Sequence, residues 1–341
     1  MKRPAARRTL IVVLATLGAT CGPKPLPALP TAGPSIAVRL EAADGLVDAG
    51  CLDCLLAAYR EYNAIRSERD LVARAAAGAV RTAALIDVRE RELGLLGNDY
   101  LTEARNVAAS SQSLNTSFST LLDIVATLRL GPDGARPTTD DQVAAMLRFA
   151  TNRSEWDSLL RQKAADEMLA GYAWMGFACD TLNARVIDPR DARRLLGETR
   201  DRPLLTFGYV ASCDRRNGEA LAALLEQDPR FVEIAYLLGL TALGLRPQPD
   251  VDAADRYFRR AYEWRQDWPS LTLSTANLAL ATEDYDRAFQ FFDRTLALKR
   301  ADPDALVGTI RALTHLGRYH EALVTIEGLL ATEANLGEAR Y

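Results

Sequence analysis

Five cysteines and two histidines make up the thiol and imidazole content of this 341-residue chain, and their spacing decides what chemistry they could carry. Cys51-Leu52-Asp53-Cys54 is a C-x-x-C run. Thiol exchange of the thioredoxin type needs a strand leading into such a run and a helix starting at it, and the sequence around it is helical in pattern. Zinc needs a second close pair of ligands. Cys179 and Cys213 are solitary, and neither His315 nor His320 stands near them in sequence. With Cys21 set aside, four cysteines allow three pairings. Structural disulfides Cys51–Cys54 and Cys179–Cys213 are the leading reading, and buried free thiols are the alternative. No phosphate-cradling Gly-rich loop and no G-x-S-x-G nucleophile turn occurs. Neighbouring carboxylates such as Asp166 and Glu167 point to different sides of a helix. The chain is therefore read as a non-enzyme without metal or cofactor. An active site assembled by folding within residues 36–200 is the third-ranked reading.

The elements that would position these residues are helical throughout. From Ile36 onward no β alternation appears, and Ala, Leu, Arg and Glu dominate stretches with apolar residues at helical spacing. An internal period stands out near the C-terminus: Ala220, Ala254, Ala288 and Ala322 are each 34 residues apart, and Leu224, Phe258, Phe292 and Ile326 follow them at the same interval. Four residues separate the members of each pair, so a small and a large apolar residue share one helix face. Helix breakers recur at Asp228-Pro229, Trp268-Pro269 and Asp302-Pro303, and proline fits the first turn of a new helix.

These residues resemble the tetratricopeptide repeat family, whose unit is a pair of antiparallel helices with a period of about 34. Gly317, Tyr319 and Ala322 match the family's turn and second-helix pattern, as do Tyr285, Ala288 and Phe292. The sequence departs from it at Ala276 and Ile310, where the first helix ordinarily carries glycine, and in a Pro-containing insertion around residues 246–250. The resemblance covers residues 203–341 and implies an all-α, tetratricopeptide-like α-solenoid. It also implies a groove lined by the first helices, at Ser270, Leu273, Asn277 and Leu280, then Asp304, Val307, Arg311, Thr314 and His315. Asn277, Arg311 and His315 are the candidate peptide-binding residues. Residues 36–202 read as irregular helical pairs, with a degenerate unit around Gly50, Leu55 and Tyr59. Helices are expected over 70–96, 98–110, 118–130, 140–149 and 155–179.

The N-terminus carries export grammar: Lys2, Arg3, Arg7 and Arg8, then an apolar run over residues 10–17, then Gly18 and Ala19. The run is far shorter than the roughly 20 residues that span a bilayer. Residues 1–20 are read as a signal peptide. Its loss takes the formal charge from -4 to -8, which disfavours nucleic acid as a partner. The segment preceding Cys21 resembles the processing site of bacterial lipoproteins, although Thr20 stands where Gly or Ala is usual; ordinary cleavage near Gly18 or Ala19 is the alternative. Residues 21–35 hold Pro23, Pro25, Pro27, Pro30 and Pro34 and read as an extended tether. Arg256, Arg259 and Arg260, interleaved with Tyr257, Phe258, Tyr262 and Trp264, read as solvated charge around a packing face rather than a nucleic-acid platform.

The resulting expectation is a scaffold on the bacterial envelope, anchored through a lipid on Cys21 at the periplasmic face of the outer membrane, that binds a protein or peptide. The runner-up is a solute- or glycan-binding lipoprotein with a platform at Trp156, Trp174 or Trp264. Residues 332–341 read as the start of an incomplete further repeat.

Overall fold

The computed structural model describes residues 34–68, 73–95, 99–111, 114, 122, 125–126, 203–204, 206–208, 218–244 and 248–338. Among them every regular element is helical: α1 (Ile36–Ala49), α2 (Leu52–Glu68), α3 (Ala73–Leu93), α4 (Tyr100–Ser110), α5 (Gly218–Gln227), α6 (Ile234–Leu243), α7 (Val251–Trp264), α8 (Pro269–Ala281), α9 (Tyr285–Leu298), α10 (Pro303–His315) and α11 (Tyr319–Glu338). Within α1–α4 and again within α5–α11 each helix packs on the next, consistent with the all-α solenoid that the repeat resemblance implies. The helices expected over 118–130, 140–149 and 155–179 lie outside the described residues.

Local chemistry sets the helix ends. Asp250, Asp284 and Asp302 precede α7, α9 and α10, and each side chain accepts a hydrogen bond from a backbone N–H of the first turn. Pro269 and Pro303 open α8 and α10, where a missing N–H costs nothing. The turns between α8 and α9 and between α10 and α11 each need one left-handed residue. Gly317 supplies it with φ 74°, and Glu283, one period earlier, takes the same conformation with φ 63°. Glycine does this freely, whereas a side chain at that φ costs about 1 kcal/mol or more.

The 34-residue register becomes the core. Ala254, Ala288, Ala322, Leu224, Phe258 and Phe292 are buried, while Ala220 and Ile326 are half-buried. Close approach of α9 and α10 comes from a residue outside the family's usual position. A Cβ at Gly308 would lie 2.1 Å from Cζ of Phe292, so the ring packs directly against the backbone of α10. One continuous core runs from Leu40 to Leu278, across the boundary expected near residue 202; a second gathers Ala276, Ala279, Ala288, Phe292, Ala305 and Ala312.

A polar seam joins the N-terminal helices to the repeats. Arg89 on α3 and Glu233, just before α6, form an ion pair at 2.7 Å with both side chains fully buried. The same Glu233 oxygen accepts the Leu52 N–H at 2.7 Å, placing a carboxylate at the start of α2. The Arg89 guanidinium lies 3.5 Å from the ring centre of Phe207. Burial pushes the Glu233 carboxyl above its ordinary range, against the opposing pull of Arg89 and the Leu52 N–H. Trp268, fully buried, donates from Nε1 to the Leu93 carbonyl at 2.7 Å, and Ser270 donates to the Gly94 carbonyl at 3.1 Å. Its ring lies 4.6 Å from that of Tyr236 and 6.0 Å, nearly perpendicular, from that of Trp264. These contacts tie the first turn of α8 to the end of α3.

Candidate functional site

The exposed face of α8 and α10 is the candidate site, and helical geometry explains its make-up. Asp304, Val307, Arg311 and Thr314 recur at three- and four-residue steps along one face of α10. They are exposed, while Ala305, Gly308, Thr309, Ala312 and Leu313 fill the buried face. On α8, Asn277 is exposed between half-buried Leu273 and Leu280. The two helices present matching positions, since Leu273 and Val307 are one period apart, and so are Asn277 and Arg311. Packed helices sit about 8–10 Å apart, close to the length of three extended residues. Two such helices can therefore offer an apolar and a polar contact to every third residue of an extended chain laid across them.

The expected groove residues divide by what they already do. Ser270 is committed to the Gly94 carbonyl, and Thr314 donates to the Ile310 carbonyl at 2.7 Å. His315 stacks face to face on Tyr285, with ring centres 4.3 Å apart and planes within 1°. It therefore binds α10 to the start of α9 and presents one remaining ring face. Asn277 and Arg311 have neither a hydrogen bond nor an ion pair within the described residues, which leaves an amide that donates and accepts and a guanidinium that only donates.

Other candidates fall out differently. Cys51 and Cys54, at the start of α2, are joined in a disulfide and buried. Cys21, Cys179, Cys213, Trp156 and Trp174 lie outside the described residues. Trp264 is not a bare platform: its Nε1 donates to Asp53 at 2.8 Å, its ring meets the edge of Trp268, and the Arg265 guanidinium lies 5.2 Å from its centre. On α7, Phe258 and Ala261 are buried while Arg256, Arg259 and Arg260 are exposed, with Arg259 paired to Asp255 at 2.7 Å. No group of three or more His, Cys, Asp or Glu that could hold a metal occurs among the described residues, and no described helix is long and apolar enough to cross a membrane.

A second polar cluster lies at the meeting of α1, α2 and α3. Tyr62 and Arg74 donate to Asp44, and Arg81 approaches it at 3.2 Å. Burial raises the Asp44 carboxyl, but the Tyr62 and Arg74 hydrogen bonds with the Arg81 and Arg74 charges outweigh it and hold the group below its ordinary range. Tyr59, which donates to Glu103, is pushed up to about 12, mainly by burial and then by that hydrogen bond. Both clusters cross-link helices. Sequence reasoning missed Glu233, whose only signal was its place beside a turn, and it named Tyr285 as a repeat position without foreseeing its stacking on His315.

Residues 279–341 match the family model described as tetratricopeptide repeat. No curated protein matches the chain. Residues 279–341 are thus similar to tetratricopeptide repeats, a unit that generally serves as a protein-interaction scaffold.

Proposed function

We propose that this repeat scaffold is an envelope-tethered protein without catalytic chemistry, which holds an extended segment of a protein partner along α8 and α10. The observation that carries the reading is the register match of half-buried Leu273 with exposed Val307 and of Asn277 with Arg311, both exposed. Asn277 can donate to and accept from one peptide unit of a bound chain, and Arg311 can grip a carboxylate with two parallel hydrogen bonds. Leu273 and Val307 supply apolar contact that is not sequence-exacting. The basic leader, the Pro-rich segment and Cys21 support attachment through an N-terminal lipid at the periplasmic face of the outer membrane.

The test begins with affinity purification from envelope extract using the native chain and an Asn277→Ala/Arg311→Ala variant, followed by titration of the recovered partner in purified form. The double variant is expected to bind about tenfold or more weakly, the size of losing one charge-assisted and one neutral hydrogen bond. Equal binding by both chains, or recovery of sugars alone, would overturn the reading. The tether is tested separately: Cys21→Ser should move the protein from the membrane to the soluble fraction, and a mature N-terminus without acyl groups would reject it.

A further inference from the structure

The Cys51–Cys54 disulfide stands where the N-terminal helices meet the repeats. It encloses Leu52 and Asp53, and both touch distant segments: the Leu52 N–H donates to Glu233, and Asp53 accepts from the Trp264 indole. A loop this short restrains the unfolded chain far less than a long one, so the bond acts mainly on the folded turn that presents these two contacts. Cys51 also caps α2. Its carbonyl accepts the Leu55 N–H at 2.9 Å, and its Sγ accepts the Cys54 N–H at 3.0 Å. A thiolate on Cys51 would meet that donor at the positive end of a helix, a setting that favours the anion and makes it a ready leaving group. Glu233 already holds the same helix end with a buried carboxylate. The neutral disulfide tolerates that neighbour, whereas two anions side by side in a buried site repel.

We propose that the Cys51–Cys54 disulfide is a redox latch on the seam: a dithiol reductant frees a Cys51 thiolate that takes the start of α2 from Glu233, and the N-terminal helices undock from the repeats. One thiolate of the reductant attacks Cys54 Sγ, the S–S bond breaks, and Cys51 leaves with the electron pair. The second sulfur of the reductant then attacks the mixed disulfide and releases Cys54, so the reductant ends as its own disulfide. Of its two thiol protons, one passes to Cys54 and one to solvent. The reverse exchange restores the latch. Undocking frees the first turn of α8, where Trp268 and Ser270 hold the Leu93 and Gly94 carbonyls. Cys51 and Cys54 are 0% and 3% exposed, so attack requires the turn to open. Coupling of this kind is reciprocal: if reduction loosens the seam, loosening the seam must favour reduction. The device acts on the chain's own fold and catalyses no exchange in other proteins.

The test equilibrates the full chain in buffers of graded reduced-to-oxidised dithiothreitol ratio. Thiol alkylation and mass spectrometry read the state of Cys51 and Cys54, and exchange of the Trp264 and Trp268 indole protons reads the seam. Reduction should speed both indole exchanges about tenfold or more, while the backbone amides of α9 and α10 keep their protection. Cys51→Ser/Cys54→Ala has a neutral cap and no cross-link; it should stay docked and ignore the buffer. The reciprocal arm is Trp264→Phe, which removes one seam hydrogen bond and should bring half-reduction at a ratio about fivefold lower. Indole protons that stay protected once Cys51 and Cys54 are reduced would overturn the proposal, and so would a disulfide that yields only when α9 and α10 also open. A serine variant that undocks would assign the seam to the cross-link rather than the anion, one that still answers the buffer would assign the response to another cysteine, and either result overturns it. A midpoint unmoved by Trp264→Phe does the same. Because the titration of the parent chain needs no substitution, a variant that fails to fold leaves the proposal open to refutation.

Discussion

The helices α1–α3 with the start of α6, and the helices α8–α11, bury different chemistry in neighbouring stretches of one solenoid. The first block encloses Arg81, Thr82, Arg89, Glu90, Glu92 and Glu233. The second encloses Thr272, Thr275, Thr295 and Thr309, with Asp302 as a helix cap. Each of those threonines donates to a carbonyl three or four residues back in its own helix, and Thr295 also meets the Thr272 hydroxyl at 2.9 Å in the next helix, so their polarity is satisfied within the helix or by its neighbour. Arg89 and Glu233 find each other across 144 residues of sequence, and Trp264 reaches Asp53 across 211. The repeats are held by a sum of neighbour contacts, whereas the N-terminal block and its seam depend on ties between distant segments that form only once the whole unit is assembled.

The widest separation between the blocks should come from Arg89→Met, which leaves Glu233 buried without its cation and is expected to cost about 3–5 kcal/mol in denaturant unfolding. Arg89→Met/Glu233→Leu should recover part of that loss, because the apolar pair carries no desolvation penalty while the Leu52 N–H loses its acceptor and Glu92 its cation. Thr309→Val, the corresponding removal of a buried polar group from a repeat, should stay within about 1 kcal/mol. A loss of 3 kcal/mol or more there would erase the contrast.

Next in size is Gly308→Ala. The new methyl would drive Phe292 out of its position, at about 1–3 kcal/mol, and Phe292→Leu in the same chain should give part of it back. An unchanged melting temperature would mean that α9 and α10 separate easily and that the repeats are looser than their close approach indicates.

Acid should then act on the repeats through Asp302. Burial pushes this carboxyl up, but Lys299 and the N–H groups of Ala305 and Asp304 outweigh it and hold the group below its ordinary value of 3.8. A depressed native value means that the stabilisation is present above pH 3.8 and fades as the pH falls through the native value. Asp302→Ala should therefore cost about 1 kcal/mol at neutral pH, and the gap from the parent chain should close in acid. A gap independent of pH would show that packing, not charge, gives Asp302 its effect.

The smallest expected effect has the opposite sign. Glu283→Gly removes a side chain from left-handed backbone and should stabilise the α8–α9 hairpin by about 0.5–1 kcal/mol, read as slower amide exchange in α8 and α9. No change in exchange would put Glu283 at no strain.

Much of the repeat architecture is legible in sequence because each of its causes is local. A small and a large apolar residue four apart, a proline at a helix start and an aspartate before it all act within one or two turns, so Ala254, Phe258, Ala288 and Phe292 disclose their burial without a structure. Helices α3 and α4 also fall within the expected spans 70–96 and 98–110. The seam is not legible in this way, since nothing near Arg89 or Glu233 announces a partner in another segment. Gly308 escaped notice because it lies two residues from the position that the family uses for its glycine. At the candidate site, the exposure of Asn277 and Arg311 follows from their register, but the stacking of His315 on Tyr285 depends on how successive hairpins are rotated, which spacing alone does not specify.

Trp268 gives the molecule an optical gauge of its own assembly. An indole shielded from water emits toward the blue, and two indoles held edge to face at 6.0 Å couple their transitions and leave a signature in the near-ultraviolet dichroism. Both effects arise where α8 meets the end of α3. Undocking the N-terminal block from the repeats would shift the emission of Trp268 to the red and cancel the coupling with Trp264, while far-ultraviolet dichroism still registered intact helices. With Trp156 and Trp174 replaced by Phe, light alone could thus separate loss of the seam from loss of the helices.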